Sequence, residues 1–458
     1  MKILHATISD DRTRQQGLGR YVRDLSTAQA EAGDDVAVLY AGAPAAFGPP
    51  RILRAKGNGG AVPHYRLLKA LPEPLRYGVS KPHRYQRKYD EKMFRDFLQS
   101  LDPDVLHVHS LQGFPAELFR AASGLKIPML FTTHDFYPIC LRCNLVTKTG
   151  ELCRGQADAE KCAACNAGAR DYALLQALIQ TDLYGSFRNS RMAEKGRKLL
   201  VGWISAGRGD RKEQKGGVPQ EAGPSAAVSE YASLLRYYSE ILTLIDRIHF
   251  NSSVTEKFYR ERFPVRSGIT IPITRNLPEG GCHTEDSNLL RIAFMGGILP
   301  HKGLEVFREA AAMMPADRIE AVIYGPGTEK GRCDRGIREG GEFRTEAEAE
   351  AVWSRTDVLA VPSTCPESFG FLVPEALSRG IPVICSDLVG AADCLGEMKE
   401  ELTFSSGNAE ELAGILQRFL NRDYRKQAKD RLLQARRLTA MAQHEREIKN
   451  VYRDLCGR

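Results

Sequence analysis

No run of apolar residues in this 458-residue sequence approaches the roughly 20 that a membrane-spanning helix needs. A strong excess of either charge is also absent, because 64 lysines and arginines face 57 aspartates and glutamates. The net charge of +7 is too small to indicate nucleic-acid binding, although it suits an anionic membrane face or a phosphorylated ligand. The apolar stretch over residues 1–8 is too short for a signal peptide, so we expect a cytoplasmic protein.

Eleven cysteines in a cytoplasmic chain argue against a disulfide framework, so their distribution carries the information. Five of them fall within 26 residues: Cys140, Cys143, Cys153, Cys162 and Cys165. Two Cys-x2-Cys pairs separated by 18 residues have a spacing that is typical of structural zinc sites. We interpret the other six cysteines as small buried apolar side chains.

Short β-branched runs alternate with longer helical patterns, which predicts parallel sheets with helices on both faces. In the first half, strands are predicted at Ile3–Thr7, Val36–Tyr40, Val105–His109, Met129–Thr133 and Arg247–Asn251. In the second half, they are predicted at Ile292–Met295, Ala321–Tyr324, Val358–Val361 and Val383–Cys385. We therefore expect an α/β protein with two doubly wound Rossmann-like domains, 1–276 and 289–430, and a helical C-terminal tail, 431–458. The predicted linker is 275–288.

Two segments interrupt this rhythm. Residues 208–226 are rich in glycine, lysine and proline, which predicts a mobile loop inserted in the first domain. Residues 76–97 hold seven arginines and lysines interleaved with aromatic residues. This second segment fits either a solvated amphipathic helix or a patch that contacts an anionic membrane or a lipid-linked substrate.

Glycines and histidines follow the predicted strands of the first domain. Gly17 and Gly19 stand between the first strand and a helix, where backbone N–H groups can approach a phosphate or simply form a turn. His109 ends one strand and His134 follows the next. Ligands bind at the carboxyl ends of parallel strands, so the two histidines raise the expectation of a polar cleft, although each can instead be structural.

Two loops of the second domain carry charged residues. The run 296–303 follows a strand and places Lys302 where it can meet a phosphate or remain a solvated turn lysine. Glu367 and Glu375 stand eight positions apart, in a loop and in the helix that follows it. Because they border the apolar run 369–373, hydrogen bonds to sugar hydroxyls explain them better than simple exposure does.

Residues 359–386 strongly resemble the signature of glycosyltransferase family 4, with its Glu-x7-Glu motif. The glycine loop at 17–19, the His-x-His strand end, the His-Lys-Gly loop and Gly325-Pro326-Gly327 precede it in the order typical of that family. The resemblance covers most of the chain and implies the glycosyltransferase-B fold, in which two Rossmann-like domains face each other across a cleft. It also implies transfer of a sugar from a nucleotide-diphosphate donor, with retention at the anomeric carbon and no metal ion required for transfer.

The same resemblance implies roles for individual residues. The implied catalytic residues are His109, Glu367 and Lys302. The implied donor-binding residues are Gly17, Gly19, Gly297, Lys302, Gly325, Phe369, Gly370 and Glu375. In this scheme Glu367 holds hydroxyls of the donor sugar, Glu375 binds the nucleotide ribose, and Lys302 neutralises the departing diphosphate.

The sequence departs from the family pattern at Ile298, where many members have an arginine beside the lysine. Arg275 and His301 are the candidates to replace that cation. The leading interpretation is polysaccharide biosynthesis with a glycan or lipid-linked acceptor, at the inner face of the membrane or in the cytoplasm. The alternatives are a small-metabolite acceptor on the same fold, or a non-catalytic protein that binds metal or nucleotide sugar.

A subset of the family carries a similar cysteine cluster after the segment that corresponds here to His134-Asp135-Phe136. Its usual positions match four of the five clustered cysteines and leave Cys143 as the extra one. Four thiolates suit structural zinc or an iron–sulfur cluster, while unligated thiols or a disulfide are the alternative. We expect the cluster to hold a loop beside the acceptor side of the cleft.

Overall fold

Two largely parallel β-sheets organise the chain in the computed structural model, which describes residues 1–12, 17–42, 48–55, 62–74, 78–169, 224–277, 287–334, 336–343 and 345–457. The first sheet contains β1 (Lys2–Thr7), β2 (Asp35–Ala41), β3 (Arg51–Arg54), β4 (His64–Leu68), β5 (Val105–Val108), β6 (Met129–Thr133), β7 (Arg247–Phe250) and β8 (Gly268–Thr270). The second contains β9 (Leu290–Met295), β10 (Ile319–Tyr324), β11 (Cys333–Asp334), β12 (Ile337–Gly341), β13 (Val358–Val361), β14 (Val383–Ser386) and β15 (Thr403–Phe404).

The strand order of each sheet reverses direction at its centre. The first sheet runs β3-β4-β2-β1-β5-β6-β7-β8 and the second runs β11-β12-β10-β9-β13-β14-β15. Only the edge pairs β3–β4 and β11–β12 are antiparallel among the described strands. In the first sheet, the strands that follow β1 are added on one side of it, and those from β5 onward on the other side. The second sheet is built in the same way around β9, with β13 starting the other side. A crevice therefore opens at the carboxyl ends of β1 and β5, and another at those of β9 and β13.

Helices cover both sheets. Those of the first half are α1 (Leu18–Glu31), α2 (Glu91–Leu101), α3 (Ala116–Gly124), α4 (Ala159–Asn166), α5 (Pro224–Leu244) and α6 (Ser253–Arg262). Those of the second half are α7 (Leu304–Ala312), α8 (Glu346–Trp353), α9 (Leu372–Ser378), α10 (Lys399–Leu402), α11 (Ala409–Arg418), α12 (Arg422–Ala435) and α13 (Met441–Leu455). No helix in the described ranges combines the length and apolar character that crossing a membrane requires.

The C-terminal helix returns to the first domain. On α13, Nε2 of His444 lies 2.8 Å from the hydroxyl of Tyr21 on α1, and Lys449 pairs with Asp34 at 2.8 Å. Both His444 and Tyr21 are fully buried. The end of the chain thus covers one face of the first sheet.

The predicted fold class is confirmed, and each of the nine predicted strands corresponds to an observed one. The strands that the sequence did not reveal are two to five residues long, and most lie at or next to sheet edges, where few apolar side chains are buried. Of the predicted mobile loop, 208–223 lies outside the described residues, and 224–226 instead begin α5. The prediction of buried isolated cysteines is correct for Cys365, Cys385 and Cys394. It is wrong for Cys333, which is exposed on the edge strand β11, and Cys456 is only partly buried. Cys282 lies outside the described residues.

In the described part of the segment 76–97, which begins at residue 78, a short 3-10 helix spans Pro82–Gln86 and an α-helix forms only in the last part. Asp90 caps α2 by accepting a hydrogen bond from the N–H of Lys92, so the helix begins at Glu91. Phe94 is fully buried, while Lys92 pairs with Asp96 at 2.6 Å. The aromatic side of α2 therefore faces the core and part of its charge is neutralised, which agrees with the solvated helix; membrane contact stays a prediction.

Candidate active site

The two topological switch points bring the predicted motifs to the ends of central strands. The glycine loop with Gly17 and Gly19 follows β1, and His109 directly follows β5. Gly297 follows β9, and the loop with Glu367 follows β13. Because the carboxyl ends of these strands are where such sheets bind ligands, the sequence motifs fall at the two positions the topology favours.

Lys302 and Glu367 form a charged pair at the second switch point. Nζ of Lys302 lies 2.8 Å from Oε1 of Glu367, and the hydroxyl of Ser363 donates to the same oxygen. The lysine and glutamate side chains are 33% and 17% exposed, so the pair is open to solvent on one side. A carboxylate in this position can accept hydrogen bonds from sugar hydroxyls while the ammonium meets a phosphate.

Two glycines are required by close backbone contacts in this site. Gly303 has φ +75°, and a Cβ there would lie 1.7 Å from the carbonyl oxygen of Pro362, so the His-Lys-Gly loop packs directly on the segment that leads to Glu367. Gly325 has φ +135°, and a Cβ there would lie 2.3 Å from the carbonyl oxygen of Gly296. The loops after β9, β10 and β13 are thus held together through their main chains.

The amides of Phe369 and Gly370 donate to no residue in the described part of the chain. The ring of Phe369 is 2% exposed and packs edge-on against Phe371 with 5.1 Å between the ring centroids. Core packing thereby holds the backbone of this loop in place. The two amides remain available to a ligand beside Glu367.

Glu375 is paired with Arg275, which lies at the end of the first domain. The guanidinium of Arg275 stands 5.0 Å from the ring centroid of Phe371, and burial lowers its pKa to about 10. The carboxylate that the sequence predicts for ribose binding therefore already has a cationic partner. A ribose would have to share or displace Arg275.

The position of the missing family arginine is solvent-facing. Ile298 is 43% exposed, so an arginine would fit there without entering the core. Burial lowers the pKa of His301 below its usual value, and the charge of Lys302 lowers it further. The lowered pKa disfavours the cationic form of His301, so the ring is a poor replacement for the missing cation.

The ring of His109 lies beneath the cleft surface. It is 1% exposed, with Nε2 at 2.9 Å from Nδ1 of His5 and Nδ1 at 3.2 Å from Nε2 of His134. Burial lowers the pKa of His109 well below its usual value, and the neighbouring histidines add to this effect. His109 is thus a neutral link between two other rings, and its implied contact with substrate stays a prediction.

His5, His107 and His109 place one nitrogen each within 4.8 Å of one another, a spacing that could hold a metal ion. All six ring nitrogens are, however, already hydrogen-bonded: those of His107 lie 2.6 Å from the Tyr452 hydroxyl and 2.7 Å from that of Thr132. No lone pair is left for a ligand bond. The donor set therefore does not fit a metal.

His134 is the member of this cluster that reaches the cleft. It is partly exposed, whereas His5, His107 and His109 are fully buried. Its ring centroid lies 4.9 Å from that of Tyr21, two residues after Gly19, and its carbonyl oxygen accepts a 2.7 Å hydrogen bond from the hydroxyl of Ser368. His134 thus stands between the glycine loop of one domain and the Glu367 loop of the other.

Serines join the two domains directly. The hydroxyl of Ser252, at the start of α6, donates to the carbonyl of Ser368 at 2.6 Å. The N–H and hydroxyl of Ser253 donate to the two carboxylate oxygens of Asp393, both at 2.7 Å. The Glu367 loop is therefore anchored on the first domain as well as on its own.

Asp135 is a second titratable group beside the cleft. Burial raises its pKa to about 7, although hydrogen bonds from the N–H of Tyr137 and the side chain of Gln112 act in the opposite direction. Those bonds measure 2.8 and 2.7 Å. Asp135 therefore changes its charge near neutral pH.

The clustered cysteines divide into four and one. Cys162 has its thiol pKa raised to about 12, first by burial and then by its neighbours Cys140, Cys153 and Cys165. Cys143 instead points its sulfur toward the carbonyl oxygen of Pro74 at 3.6 Å. Within the described residues no three of these sulfurs lie within 4.8 Å of one another, so the four thiols are neighbours without forming a closed ligand shell.

A cavity of about 590 Å³ lies between the cysteine segment and the second domain. Leu152, Arg154 and Gly155 line it on one side, together with Lys257 of α6. The second domain contributes Thr364, which is the neighbour of Ser363, and the loop 405–407. The cavity is thus continuous with the segment that positions Glu367.

Several residues of this site escaped sequence reasoning. Ser363 and Ser368 carry no motif of their own, although each lies within four positions of Glu367. Gln29 and Tyr452 reach the histidine cluster from α1 and α13, which lie more than 400 positions apart. The only sequence signal for them is the apolar periodicity of α1 and α13, which indicates the face of each helix that is buried.

Family models match both halves of the chain. The family described as "Glycosyltransferase Family 4" matches residues 16–157, and the one described as "Glycosyl transferases group 1" matches residues 290–422. The two sheets and their paired switch points have the arrangement of the glycosyltransferase-B fold. Each half of the chain is thus similar to a family of glycosyltransferases, and the first half to family 4. Membership of the cysteine-bearing subset stays a prediction.

Individual proteins are similar to parts or to the whole of the chain. A phosphatidyl-myo-inositol mannosyltransferase of Propionibacterium freudenreichii is 33% identical over 126 residues, which are 27% of this chain and 32% of that protein. The chain thus spans about a third of the length of the curated relatives it matches. Sucrose-phosphate synthase of Thermosynechococcus elongatus superposes with a TM-score of 0.56 at 16% identity over 100% of both chains. HepE of Anabaena in complex with UDP gives 0.51 at 12% identity, over 98% of this chain and 100% of that one.

Proposed function

We propose that this protein transfers a sugar from a nucleotide-diphosphate donor to a hydroxyl of a glycan or lipid-linked acceptor, with retention at the anomeric carbon. The observation that carries the proposal is the Lys302–Glu367 pair at the second switch point, in the cleft formed with the glycine loop of the first domain. The matches of both halves to glycosyltransferase families support the same activity. The UDP bound by the similarly folded HepE supports a nucleotide donor.

The donor sugar would bind to the Glu367 loop. The carboxylate of Glu367 accepts hydrogen bonds from sugar hydroxyls, and the amides of Phe369 and Gly370 supply donors. The diphosphate would lie near Lys302 and the first turn of α1, whose amide of Gly19 has no partner within the helix. Glu375, once released from Arg275, would bind the ribose.

During transfer, charge separates between the sugar and the leaving diphosphate, and the site must stabilise it. The bond from the anomeric carbon to the diphosphate breaks, a bond to the acceptor oxygen forms, and the hydroxyl proton passes to the leaving diphosphate. Negative charge grows on the phosphate, so a cation already in place lowers the barrier. The direct serine contacts between the domains help to exclude water, which limits hydrolysis of the donor.

Thermal unfolding with UDP-glucose, GDP-mannose and ADP-glucose tests donor binding, because a ligand that binds only the folded state raises the melting temperature. We expect one of these donors to stabilise the wild type and the Lys302→Ala variant to lose that effect. Slow release of nucleoside diphosphate without acceptor distinguishes an enzyme from a binding protein. Stabilisation without any turnover, with or without acceptor, would favour the non-catalytic alternative.

The acceptor would enter through the 590 Å³ cavity between the domains. Arg154 and Lys257 line it, and neither forms an ion pair with a described residue. Glu261 and Asp387 also border it, but Glu261 lies 3.5 Å from the guanidinium of Arg262 and Asp387 accepts a hydrogen bond from the N–H of Ser406. Two cations without partners favour an acceptor that carries phosphate, and the relative named for phosphatidyl-myo-inositol supports that class.

Initial rates with myo-inositol, myo-inositol 1-phosphate and phosphatidylinositol in vesicles test this acceptor class. We expect Arg154→Ala and Lys257→Ala to raise KM for the phosphorylated acceptors several-fold. Lys426→Ala, which removes an exposed cation on α12, is the matched control. Preference for the soluble phosphate would favour a small-metabolite acceptor, and use of vesicles only would favour a lipid-linked one. Liposome flotation with and without anionic lipid tests the membrane contact predicted for 76–97.

Cys140, Cys153, Cys162 and Cys165 would bind zinc or an iron–sulfur cluster in a structural role. Their mutual proximity fits this role, since thiolates are ligands for both, although the sulfurs must approach further to close the shell. A bound metal favours the thiolate form, which burial alone disfavours here. The cysteine segment also lines the acceptor cavity, so fixing it would fix one wall of that cavity.

Elemental analysis after growth with both zinc and iron distinguishes the two metals. We expect about one zinc per chain after aerobic purification, or brown colour after anaerobic purification. Changing Cys162 and Cys165 together should release the metal and expose residues 140–166 to protease, whereas Cys143→Ser should not. Metal-free, folded protein with every thiol titratable would contradict the proposal.

A further inference from the structure

A continuous chain of hydrogen bonds crosses the core of the first domain and ends at the cleft. Its sheet part runs from the carbonyl of Ile271 through His249 and Thr132 to His107, with steps of 2.7, 2.8 and 2.7 Å. Tyr452 and Gln29 continue it to His5, with steps of 2.6, 3.2 and 2.7 Å. His109 and His134 complete it, with steps of 2.9 and 3.2 Å. We name this series of groups the histidine chain.

The sheet register builds the histidine chain. His5 on β1 pairs with His107 on β5, and Thr132 on β6 pairs with His249 on β7. His107 is in register with Leu130 on β6, and Thr132 lies two positions further along that strand and so on the same face. The side chains therefore form a row across four strands. Helices α1 and α13 cover that face and insert Gln29 and Tyr452 between two parts of the row.

Burial keeps the rings neutral, and a neutral imidazole has one donor and one acceptor nitrogen. It lowers the pKa of His249 and His5 to about 4, and that of His134 to about 3. The direction of the whole histidine chain is therefore set wherever one end is fixed. The Ile271 carbonyl fixes it, because a carbonyl oxygen only accepts.

The carbonyl of Ile271 determines which atom donates and which accepts at each step across the sheet. Nε2 of His249 donates to the Ile271 carbonyl, so its Nδ1 must accept from the hydroxyl of Thr132. That hydroxyl has one proton, so Nε2 of His107 must donate to Thr132. Nδ1 of His107 then accepts from the hydroxyl of Tyr452.

The remaining steps follow in the same way. The oxygen of Tyr452 accepts from the amide nitrogen of Gln29, whose oxygen accepts from Nε2 of His5. Nδ1 of His5 then accepts from Nε2 of His109, and Nδ1 of His109 accepts from Nε2 of His134. The proton of His134 is thereby placed on Nε2, and its Nδ1 carries a lone pair.

We propose that the histidine chain holds His134 as the Nε2–H tautomer, so that its Nδ1 accepts a hydrogen bond from a sugar hydroxyl in the cleft and selects how that hydroxyl is oriented. No described residue bonds to this nitrogen. His134 as a residue is partly exposed, and its ring lies against Tyr21 while its carbonyl oxygen accepts from Ser368, next to Glu367. The inference rests on the proposed function for the identity of the ligand, but the tautomer does not depend on it.

His134 acts here by accepting a hydrogen bond and not by removing a proton. A ring whose pKa is about 3 holds a proton poorly. A fixed acceptor nevertheless rewards one orientation of the hydroxyl and needs no rearrangement during the reaction. The hydroxyl can belong to the donor sugar or to the acceptor.

The tautomer is tested on ligand-free full-length protein by NMR with ¹⁵N-labelled histidine, using His134→Gln to assign the signal. We expect protonated Nε2 and unprotonated Nδ1 at His134 in the wild type. Tyr452→Phe removes a link of the histidine chain and should mix the tautomers. Tyr21→Phe removes a buried hydroxyl that bonds to His444 outside the chain, so it should keep the wild-type pattern. A proton on Nδ1 of wild-type His134 would overturn the inference.

The contact with sugar is tested by two isosteric substitutions at His134. An asparagine places its oxygen near Nδ1, whereas a glutamine can replace the Nε2 donor to His109 but offers no acceptor at Nδ1. With UDP-glucose, GDP-mannose and ADP-glucose as donors, we expect His134→Gln to lower kcat/KM about tenfold and His134→Asn to keep most of it. A larger effect on KM for the donor or for the acceptor identifies which substrate carries the hydroxyl. Equal rates in His134→Gln and wild type would refute the contact, whereas no reaction of the wild type with any donor would refute the proposed function and leave the NMR result to decide the tautomer.

Discussion

The charged pair of the second domain and the histidine chain of the first lie at the same cleft but follow opposite electrostatic rules. Lys302 and Glu367 are partly exposed and keep opposite charges 2.8 Å apart. The histidines are kept neutral by burial and offer directed donors and acceptors instead. One wall therefore meets the charge that develops on a phosphate, while the other meets uncharged hydroxyls.

This difference follows from the cost of burying polar groups. A charge at a cleft surface keeps part of its hydration, and a partner supplies the rest. A ring inside the sheet has no water, so it is stable only if its nitrogens are hydrogen-bonded. His444 is an exception among the described residues, because its Nδ1 is buried without a partner.

The largest expected effect is a loss of folding stability at acidic pH, caused by the buried neutral histidines. The pKa values of His5, His134 and His249 are lowered in the folded protein. Below pH 6.5 the unfolded chain therefore binds protons at these residues, whereas the folded chain binds them only below about pH 3 to 4. The free energy of unfolding should therefore be fully retained above pH 6.5 and fall steeply as the pH decreases toward 4. Denaturant titrations at a series of pH values measure this slope.

The variant His444→Gln is the matched control for the dependence of the free energy of unfolding on pH. It removes one neutral buried ring outside the histidine chain. It should reduce the proton uptake on unfolding by about one. A free energy of unfolding that stays constant between pH 6.5 and 4 would contradict the neutral cluster.

The next largest effect is expected at Lys302. Lys302→Ala removes the cation proposed to meet the leaving diphosphate, and loss of one such group lowers kcat by roughly 100-fold or more. Ile298→Arg restores the family's usual cation at an exposed position and should tighten binding of a nucleoside diphosphate. Titration calorimetry with UDP, GDP and ADP compares the variants. Unchanged affinity in Lys302→Ala would show that another residue binds the phosphate.

Glu367→Gln should cost less, because the amide keeps the size and part of the hydrogen bonding. We expect transfer to fall at least tenfold, which is about 1.4 kcal/mol of transition-state stabilisation. Glu375→Ala should instead raise KM for the donor. Normal turnover of both variants at saturating and at limiting donor would remove these two residues from the site.

The smallest effect concerns Asp135, whose shift is opposite in sign to that of the histidines. Its raised pKa means that it stabilises the fold below about pH 4 and that this contribution is lost as the pH rises toward 7. Asp135→Asn lacks this term, so its stability relative to wild type should increase between pH 4 and 7. Melting curves of both proteins at a series of pH values over that range measure the difference. A difference in stability that does not change with pH would rule out the raised pKa.

Sequence reasoning found the groups of the second-domain site more completely than those of the first. Lys302, Glu367 and Glu375 belong to local motifs whose spacing is visible along the chain. His5, by contrast, lies on a strand without any motif and meets His109, 104 positions away, only through the pairing of β1 with β5. The pairing of Glu375 with Arg275, 100 positions apart, was equally invisible.

The sequence by itself determined the two parallel sheets and the loops that end at their switch points, because apolar periodicity and glycine position act locally. It also determined that His109 and His134 follow neighbouring strands. Only the tertiary structure decided which of the two rings reaches the cleft and which of its nitrogens carries the proton. That choice depends on strand register and on a carbonyl of Ile271 that contributes no side chain, and a hydrogen-bond chain has a direction only when all its members are in contact.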